Sequence, residues 1–243
     1  MKASPGTSRM CPALKAFSEK VGDVLHCNQT NKYRKLDPKL EKKLVESIKK
    51  RASLGKNNFR SINTIILRFP QFKESLRNIK NVFDKYDEDS NGVIDRFELK
   101  KCLNMLQIRL MEKEIADLFR SCDVNGDEGI QFNEFIVLLC LIYLLVEPSP
   151  SSDSTSKMGP ELEVTFNTVI EAFLFFDKNG DGKLNRKGMV KAMNDASSGG
   201  KSPRHITNTR FDELDSQKCG QVSFKEFLFA LINWVGVDTD NDE

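Results

Sequence analysis

The feature that most constrains this chain is a twelve-residue segment, residues 87–98, with oxygen-bearing side chains at fixed intervals. It reads Asp-Glu-Asp-Ser-Asn-Gly-Val-Ile-Asp-Arg-Phe-Glu, with a glycine at position 6. That glycine suits a turn with positive φ, where a Cβ would be strained. A loop of this kind supplies the six to eight oxygens that Ca²⁺ requires. The predicted ligands are Asp87, Asp89, Asn91, the backbone carbonyl of Val93, Asp95 and Glu98.

A second segment, residues 123–134, repeats the pattern with one departure. Position 6 is Glu128, and the glycine follows one residue later as Gly129. A non-glycine residue with positive φ costs roughly 1 kcal/mol. We therefore expect this loop to bind Ca²⁺ with reduced affinity. Its predicted ligands are Asp123, Asn125, Asp127, Gly129, Gln131 and Glu134.

A third segment, residues 177–188, keeps the early ligand positions and loses the last one. Position 12 is Gly188, which removes two oxygens and a negative charge from the site. We expect this loop to bind Ca²⁺ weakly or to hold Mg²⁺ with water completing the shell. Its predicted ligands are Asp177, Asn179, Asp181, Lys183 and Asn185.

A fourth segment, residues 215–226, retains the two ends of the pattern, Asp215 and Glu226. Positions 3 and 5 are Gln217 and Cys219, and a soft thiol is a poor Ca²⁺ ligand. We interpret this loop as a structural partner of the third, with little or no metal binding.

These four segments, called loops 1 to 4 in chain order, together resemble those of EF-hand proteins of the calmodulin-like type, as found among plant calmodulin-like and calcineurin B-like sensors. The resemblance covers residues 71–236. It implies a Ca²⁺ sensor without catalytic activity that regulates a partner protein. The implied target is an amphipathic helix, with protein kinases as one candidate class of target.

The predicted fold is all-α, with two lobes that each contain a pair of helix–loop–helix units. Short antiparallel strands are expected where Ile94 meets Ile130 and where Leu184 meets Val222. The segments are a mobile N-terminal stretch (1–35), a basic helical extension (36–70), a first loop pair (71–146), a Ser/Pro-rich linker (147–160), a second loop pair (161–236) and an acidic tail (237–243). Within the first pair, residues 135–146 are apolar throughout and need more neighbours than one lobe offers.

The N-terminal extension has a charge opposite to that of the rest of the chain. Residues 1–70 hold sixteen Lys or Arg and five Asp or Glu, a net charge of +11, and the remainder carries −9. Asp37-Pro38 predicts a helix start, and Leu40, Leu44 and Ile48 give that helix an apolar face that ends near Ser53. We predict a second short helix over 61–69, ended by Pro70.

Three interpretations of the extension remain. Its helices pack on the metal-binding body, occupy a groove there as an internal ligand, or contact an anionic membrane through residues 32–51. Nucleic acid is not an expected partner, because there is no base-reading motif. The sequence Lys49-Lys50-Arg51-Ala52-Ser53 also resembles a kinase site, so Ser53 is a candidate phosphorylation site.

The remaining features bear on compartment and on the class of function. The six cysteines lack metal-binding spacing, and no signal peptide is expected at the N-terminus. We therefore expect a cytoplasmic or nuclear protein, with peripheral membrane attachment as an alternative. No nucleophile–base pair is visible, so we do not expect an enzyme. A passive Ca²⁺ buffer and a membrane-associated Ca²⁺-binding protein are the alternatives to a sensor.

Overall fold

The computed structural model describes residues 35–54, 59, 64–65, 68–146, 159–195, 204–216 and 218–235. Within these ranges the chain forms nine helices and one two-stranded antiparallel sheet, which confirms the predicted fold class. None of the helices in these ranges is long and apolar enough to cross a membrane. The elements are α1 (Pro38–Ser53), α2 (Phe69–Tyr86), α3 (Arg96–Met105), α4 (Glu112–Cys122), α5 (Phe132–Leu145), α6 (Pro160–Phe176), β1 (Leu184–Asn185), α7 (Arg186–Asp195), α8 (Arg204–Leu214), β2 (Gln221–Val222) and α9 (Phe224–Val235).

The loops are paired through their backbones, as the sequence predicts. In the first pair, the N–H groups of Ile94 and Ile130 each donate to the other residue's carbonyl at 2.9 Å. In the second pair, β1 and β2 align Leu184 with Val222. Each loop therefore obtains its strand partner from a neighbouring helix–loop–helix unit, which explains why a loop with a degraded binding pattern is retained.

The two loop pairs have equivalent aromatic cores. Four residues before loop 1, the ring of Phe83 lies edge-on to Phe132 and Phe135, with centroids 5.6 and 5.5 Å away. Four residues before loop 3, Phe173 makes the same edge-on contacts with Phe224 and Phe227, at 5.1 and 5.4 Å. Edge-to-face pairs at these distances are favourable beyond the apolar area they bury. The repeated loops thus belong to a repeated packing unit.

The two pairs pack against each other through α5. This helix is almost wholly buried, and it contacts α1, α2, α4, α6 and α9. Helices α6 and α9 from the second pair also contact α2 from the first. The apolar surface of α5 that the first pair leaves uncovered is therefore buried by α1 and by the second pair. Each pair in isolation would expose apolar surface that is buried in the full chain.

Helix α1 has the start, the end and the buried face that its sequence predicts. The carboxylate of Asp37 accepts a hydrogen bond from the N–H of Lys39 at 2.9 Å, and Pro38 lies in the first turn. Burial of each large apolar side chain contributes about 1.5–3 kcal/mol, whereas an exposed ion pair contributes about 0–1 kcal/mol. Packing therefore dominates the attachment of α1. Its buried apolar residues, with the one just before it, are Leu36, Leu40, Leu44 and Ile48.

The segment after α1 differs from the prediction at Pro70. The predicted helix over 61–69 lies mostly outside the described residues, although Thr64 and Ile65 are helical. Pro70 does not end a helix; it lies in the first turn of α2, which begins at Phe69. Proline is tolerated there because an N–H in the first turn has no acceptor within the helix. The entering helix of the first loop therefore begins two residues earlier than the boundary at residue 71 implies.

Candidate metal centres

Loop 1 folds around the carboxylate of Asp87 at its first position. One carboxylate oxygen accepts the N–H of Gly92 at 2.9 Å, and the other accepts the N–H of Asn91 at 3.0 Å. Gly92 has a φ of +84°, so the position needs the conformational freedom of glycine. These bonds hold the loop in a tight turn that brings the predicted ligand positions to one side.

The carboxylate of Glu98 joins the two ends of loop 1. Its oxygens accept the N–H of Glu88 at 2.8 Å and the N–H of Asp95 at 2.9 Å. Asp95 in turn caps α3 by accepting the N–H groups of Phe97 and Glu98. The last ligand position is therefore held at the first turn of the exiting helix, with both of its oxygens directed towards the loop.

The arrangement in loop 1 fits a divalent cation. Carboxylate oxygens of Asp87, Asp89 and Glu98 lie within 4.8 Å of one another, and both Asp87 and Glu98 are buried. Converging carboxylates repel one another unless a cation neutralises them. Ca²⁺ prefers such hard oxygen ligands, so it would be held here by these groups together with Asn91, Asp95 and the carbonyl of Val93. A bound ion would neutralise the acids and tie α2 to α3.

Loop 2 repeats the backbone hydrogen bonds of loop 1 around Asp123 and Glu134. The oxygens of Glu134 accept the N–H of Val124 at 2.8 Å and the N–H of Gln131 at 2.9 Å, as Glu98 does in loop 1. Burial raises the pKa of Glu134, and the negative charges of Asp123 and Asp127 raise it further. A divalent cation would offset both effects. The donor set of loop 2 therefore also fits Ca²⁺.

The displaced glycine of loop 2 has a structural reason. Glu128 has a φ of +65°, and its N–H reaches Asp123 at 3.3 Å, against 2.9 Å for the equivalent bond from Gly92. A Cβ at Gly129 would lie 2.9 Å from the Cβ of Val93, which packs across from the paired loop. Gly129 therefore leaves room for the neighbouring loop, and Glu128 carries the strained turn in its place.

Replacing Glu128 with Gly should stabilise the protein by about 1 kcal/mol, because glycine adopts positive φ without strain. The matched control is Gly92→Ala, which introduces a Cβ at the equivalent turn of loop 1 and should destabilise the protein. Denaturant unfolding of both full-length variants in the presence of a chelator measures the two effects. A destabilised Glu128→Gly variant would contradict the strain argument.

Loop 3 keeps the turn and lacks the closing carboxylate. Asp177 accepts the N–H of Gly182 at 2.8 Å, and burial raises the pKa of Asp177. At position 12, the N–H of Gly188 donates to the side-chain oxygen of Asn185 at 2.8 Å. Asn185 therefore caps the exiting helix, but no side chain joins the two ends of the loop as Glu98 does in loop 1.

Helix α1 lies directly against loop 3, a contact that the sequence did not indicate. Gly182 approaches Val45 so closely that a Cβ at residue 182 would lie 2.9 Å from the Val45 Cγ1. Beside it, the ammonium of Lys183 donates to the carboxylate of Glu41 at 2.8 Å. Gly182 and Lys183 occupy positions 6 and 7 of the loop. Contact with α1 therefore supports the turn at Gly182, which positions the metal ligands of loop 3.

Loop 4 uses hydroxyl groups in place of a metal-ligand set. The oxygens of Glu226 accept hydrogen bonds from the hydroxyls of Ser216 and Ser223, at 2.7 and 2.8 Å. The thiol of Cys219 is exposed and donates to the carbonyl of Gln221 at 3.0 Å. The closing glutamate is thus satisfied by the chain itself. Among the residues that the structure describes, acidic groups meet at metal-ligand distances in loop 1 and in no other cluster.

A buried lysine connects the second pair to loop 2. Lys225, in the first turn of α9, is 3% exposed, and its ammonium donates to the carbonyl of Ser121 at 2.8 Å. Burial lowers the pKa of Lys225. Ser121 lies two residues before the first ligand position of loop 2, so the ammonium supplies a partner to the last turn of α4. Sequence inspection missed this contact because a lysine beside Glu226 has no distinctive pattern.

The candidate phosphorylation site lies at the end of α1. Ser53 is exposed, and its hydroxyl donates to the carbonyl of Lys50 at 2.7 Å. The nearby guanidinium of Arg51 donates to Asn167 of α6 at 2.7 Å and lies 5.1 Å from the ring centre of Tyr143 in α5. Ser53 is therefore accessible at the point where α1 joins both loop pairs, and its modification stays a prediction.

Comparisons with known proteins agree with the loop geometry. The family described as an EF-hand domain pair matches residues 76–139. The probable calcium-binding protein CML22 of Arabidopsis thaliana is 48% identical over 222 residues, which are 90% of this chain and 96% of that protein. The probable calcium-binding protein CML21 of the same plant is 49% identical over 203 residues, 83% of this chain and 87% of that protein. Calcium-dependent protein kinase 9 of Oryza sativa subsp. japonica is 30% identical over 158 residues, which cover 65% of this chain and 24% of the kinase.

Proposed function

Because the chain belongs to the calmodulin-like EF-hand calcium-binding proteins, we propose that it is a Ca²⁺ sensor that regulates a partner protein. In this proposal loops 1 and 2 are the stronger sites, loop 3 binds Ca²⁺ weakly or takes Mg²⁺, and loop 4 is structural. The protein itself has no catalytic role. The ligand residues that the sequence gives loops 1 and 2, the converging acids of loop 1 and the missing carboxylate at Gly188 support this order of affinities.

The observation that carries a sensor function is the position of α5. This helix leaves loop 2 and also contacts α1, α6 and α9. Ca²⁺ binding to sensor loops changes the angle between the helices that flank them. Any such change at loop 2 must alter the contacts of α5 with the rest of the molecule. A passive buffer would need no such connection between a metal site and the contacts between the loop pairs.

The proposed partner is a protein that offers an amphipathic helix. The similarity to calcium-dependent protein kinases, in which a matching segment makes up about a quarter of the chain, is consistent with a protein kinase as one class of target. Charge on the outer face of α1 allows a membrane contact through residues 32–51 as an alternative. That contact would be electrostatic, because the apolar face of α1 is buried. The exposed lysines on the outer face include Lys39, Lys42, Lys49 and Lys50.

Two measurements on the full-length protein test the proposal. Calorimetric titration with Ca²⁺, with and without Mg²⁺ present, should find two stronger sites. A dye that fluoresces on apolar surface should then respond at the same Ca²⁺ concentrations, because a sensor changes its exposed surface when its sites fill. Ca²⁺ binding without any dye response would favour a buffer. The absence of Ca²⁺ binding would overturn the proposal itself.

A further inference from the structure

Helix α1 rests on a surface that both loop pairs build. From the first pair, Asp117 of α4 accepts the backbone N–H of Asp37 at 3.1 Å, and Glu114 pairs with Lys43. The ammonium of Lys43 lowers the pKa of Glu114. We call the surface under α1, formed by parts of α4, α5 and α6, by loop 3 and by the start of α9, the α1 seat.

From the second pair, the α1 seat receives polar contacts at two places. Lys183 of loop 3 pairs with Glu41 near the start of α1, and Asn167 of α6 accepts a hydrogen bond from Arg51 near its end. The side chains of Lys183 and Glu41 are each 35% exposed, and that of Lys43 is 52% exposed. Ion pairs with this exposure add little to affinity and contribute mainly to orientation.

The packing of α1 on its seat is incomplete. A cleft of about 150 Å³ remains between α1 and the paired segments of loops 3 and 4. The cleft is partly open to solvent, so α1 leaves part of the α1 seat uncovered. The cleft is lined by Leu36, Leu44 and Ile48 on one side and by Gly182, Phe224 and Lys225 on the other.

We propose that the α1 seat is an interaction surface, and that an amphipathic helix of the target protein displaces α1 from it. This inference rests on the proposed sensor function and names the chemistry of its partner. Fourteen residues separate Leu54 from Phe69. Phe59 within this segment is buried, and the five Cα–Cα steps from Leu54 to Phe59 span roughly 17 Å in extended form, so α1 can leave its seat while Phe59 and α2 stay in place.

The contacts of α1 specify the helix that would replace it. In the replacing helix, apolar residues would recur at four-residue intervals, as Leu36, Leu40, Leu44 and Ile48 do in and just before α1. A cation at the position of Lys43, just before the third apolar residue, would pair with Glu114. An acid at the position of Glu41, just after the second apolar residue, would pair with Lys183. Such a helix would make the same polar contacts with the α1 seat as α1 does.

The test uses the full-length protein and a fluorescent synthetic peptide with the sequence of residues 35–54. The variant Leu40→Asp/Leu44→Asp places charges on the buried face of α1 and should empty the seat. In Ca²⁺, this variant should bind the peptide at least about 10-fold more tightly than the wild-type protein does, because no internal helix competes. The matched control, Lys39→Ala/Lys42→Ala, changes only exposed residues and should behave as the wild type.

Two peptide variants test the specificity of the surface. A peptide with Leu44→Asp should not bind the emptied seat, and one with Lys42→Ala, at an exposed position, should bind it as the parent peptide does. A folded Leu40→Asp/Leu44→Asp protein that binds no peptide would overturn the inference. So would concentration-dependent dimerisation of the wild-type protein that the peptide inhibits, because a second copy would then be the occupant.

Native-state hydrogen exchange keeps the inference testable if the double variant does not fold. In the wild-type protein, amides of α1 between Leu40 and Ile48 should exchange at least about 10-fold faster than those of α5 between Val137 and Leu141, through local opening. Equal protection of the two helices would make α1 a permanent core element and overturn the inference. Failure of the sensor function is distinguishable from failure of this inference. It would appear in calorimetry as the absence of Ca²⁺ binding, whether or not the peptide binds.

Discussion

Replacing Glu98 with Gln is expected to weaken Ca²⁺ binding at loop 1 by about 100-fold, a shift within the range that ligand charge produces in such loops. The change removes one negative charge. It also replaces one carboxylate oxygen with an amide N–H₂, which cannot accept the backbone N–H of Glu88, now 2.8 Å from one oxygen, or that of Asp95, now 2.9 Å from the other. Glu134→Gln should do the same at loop 2. Calorimetric titration of each full-length variant measures the change.

The matched control for this pair is Glu226→Gln in loop 4. Glu226 is buried and accepts hydrogen bonds from the hydroxyls of Ser216 and Ser223 and from the N–H of Ser223, so its replacement should cost a similar part of the folding free energy, about 1–3 kcal/mol. It should leave Ca²⁺ affinity unchanged. An equal loss of affinity in the Glu226→Gln variant would mean that loop 4 binds metal or that the losses reflect general destabilisation.

The reverse change at loop 3 should have an effect of similar size. Gly188→Glu supplies the missing carboxylate and is expected to raise Ca²⁺ affinity at loop 3 by about 100-fold. A new Cβ at residue 188 would lie 3.3 Å from the carbonyl oxygen of Phe176, a close contact that a small shift relieves. Removing glycine from the helix should also add up to about 1 kcal/mol of stability whether or not Ca²⁺ is present.

Gly188→Ala separates the ligand from the helix effect. Alanine brings the same Cβ and the same gain in helix propensity, but no oxygen. Calorimetry should therefore find tighter Ca²⁺ binding at loop 3 for Gly188→Glu and an unchanged affinity for Gly188→Ala. In the presence of a chelator, both variants should be more stable to unfolding than the wild-type protein. Tighter binding by both variants would show that helix stability, and not the absent carboxylate, limits loop 3.

Features that depend on short stretches of sequence could be predicted. The turn at Gly92, the start of α1 at Asp37-Pro38 and the pairing of Ile94 with Ile130 each depend on one local pattern. These patterns have fixed spacing because the geometry of a metal loop or a helix cap leaves few alternatives. The fold class could be predicted because the metal-loop pattern occurs four times in the sequence.

Features that depend on residues far apart in the chain could not be predicted. The glycine at 129 makes room for Val93 of another loop, and Lys225 reaches the carbonyl of Ser121 across the boundary between the pairs. The position of α1 against loop 3 likewise depends on Val45 meeting Gly182. Sequence periodicity indicates that a helix has a face to bury, but it does not indicate which surface will cover that face.

The fluorescence of Trp234 tests the central claim, that Ca²⁺ at the first pair of loops changes how the two pairs pack. Trp234 is the single tryptophan and lies half-buried in α9, the helix of the second pair that contacts α5 and α2. We predict that Ca²⁺ shifts its emission in the wild-type protein at the concentrations that fill loops 1 and 2. In the Glu98→Gln/Glu134→Gln variant the shift should require about 100-fold more Ca²⁺. Unchanged emission in a wild-type protein whose Ca²⁺ sites are filled, as judged by calorimetry, would contradict the claim.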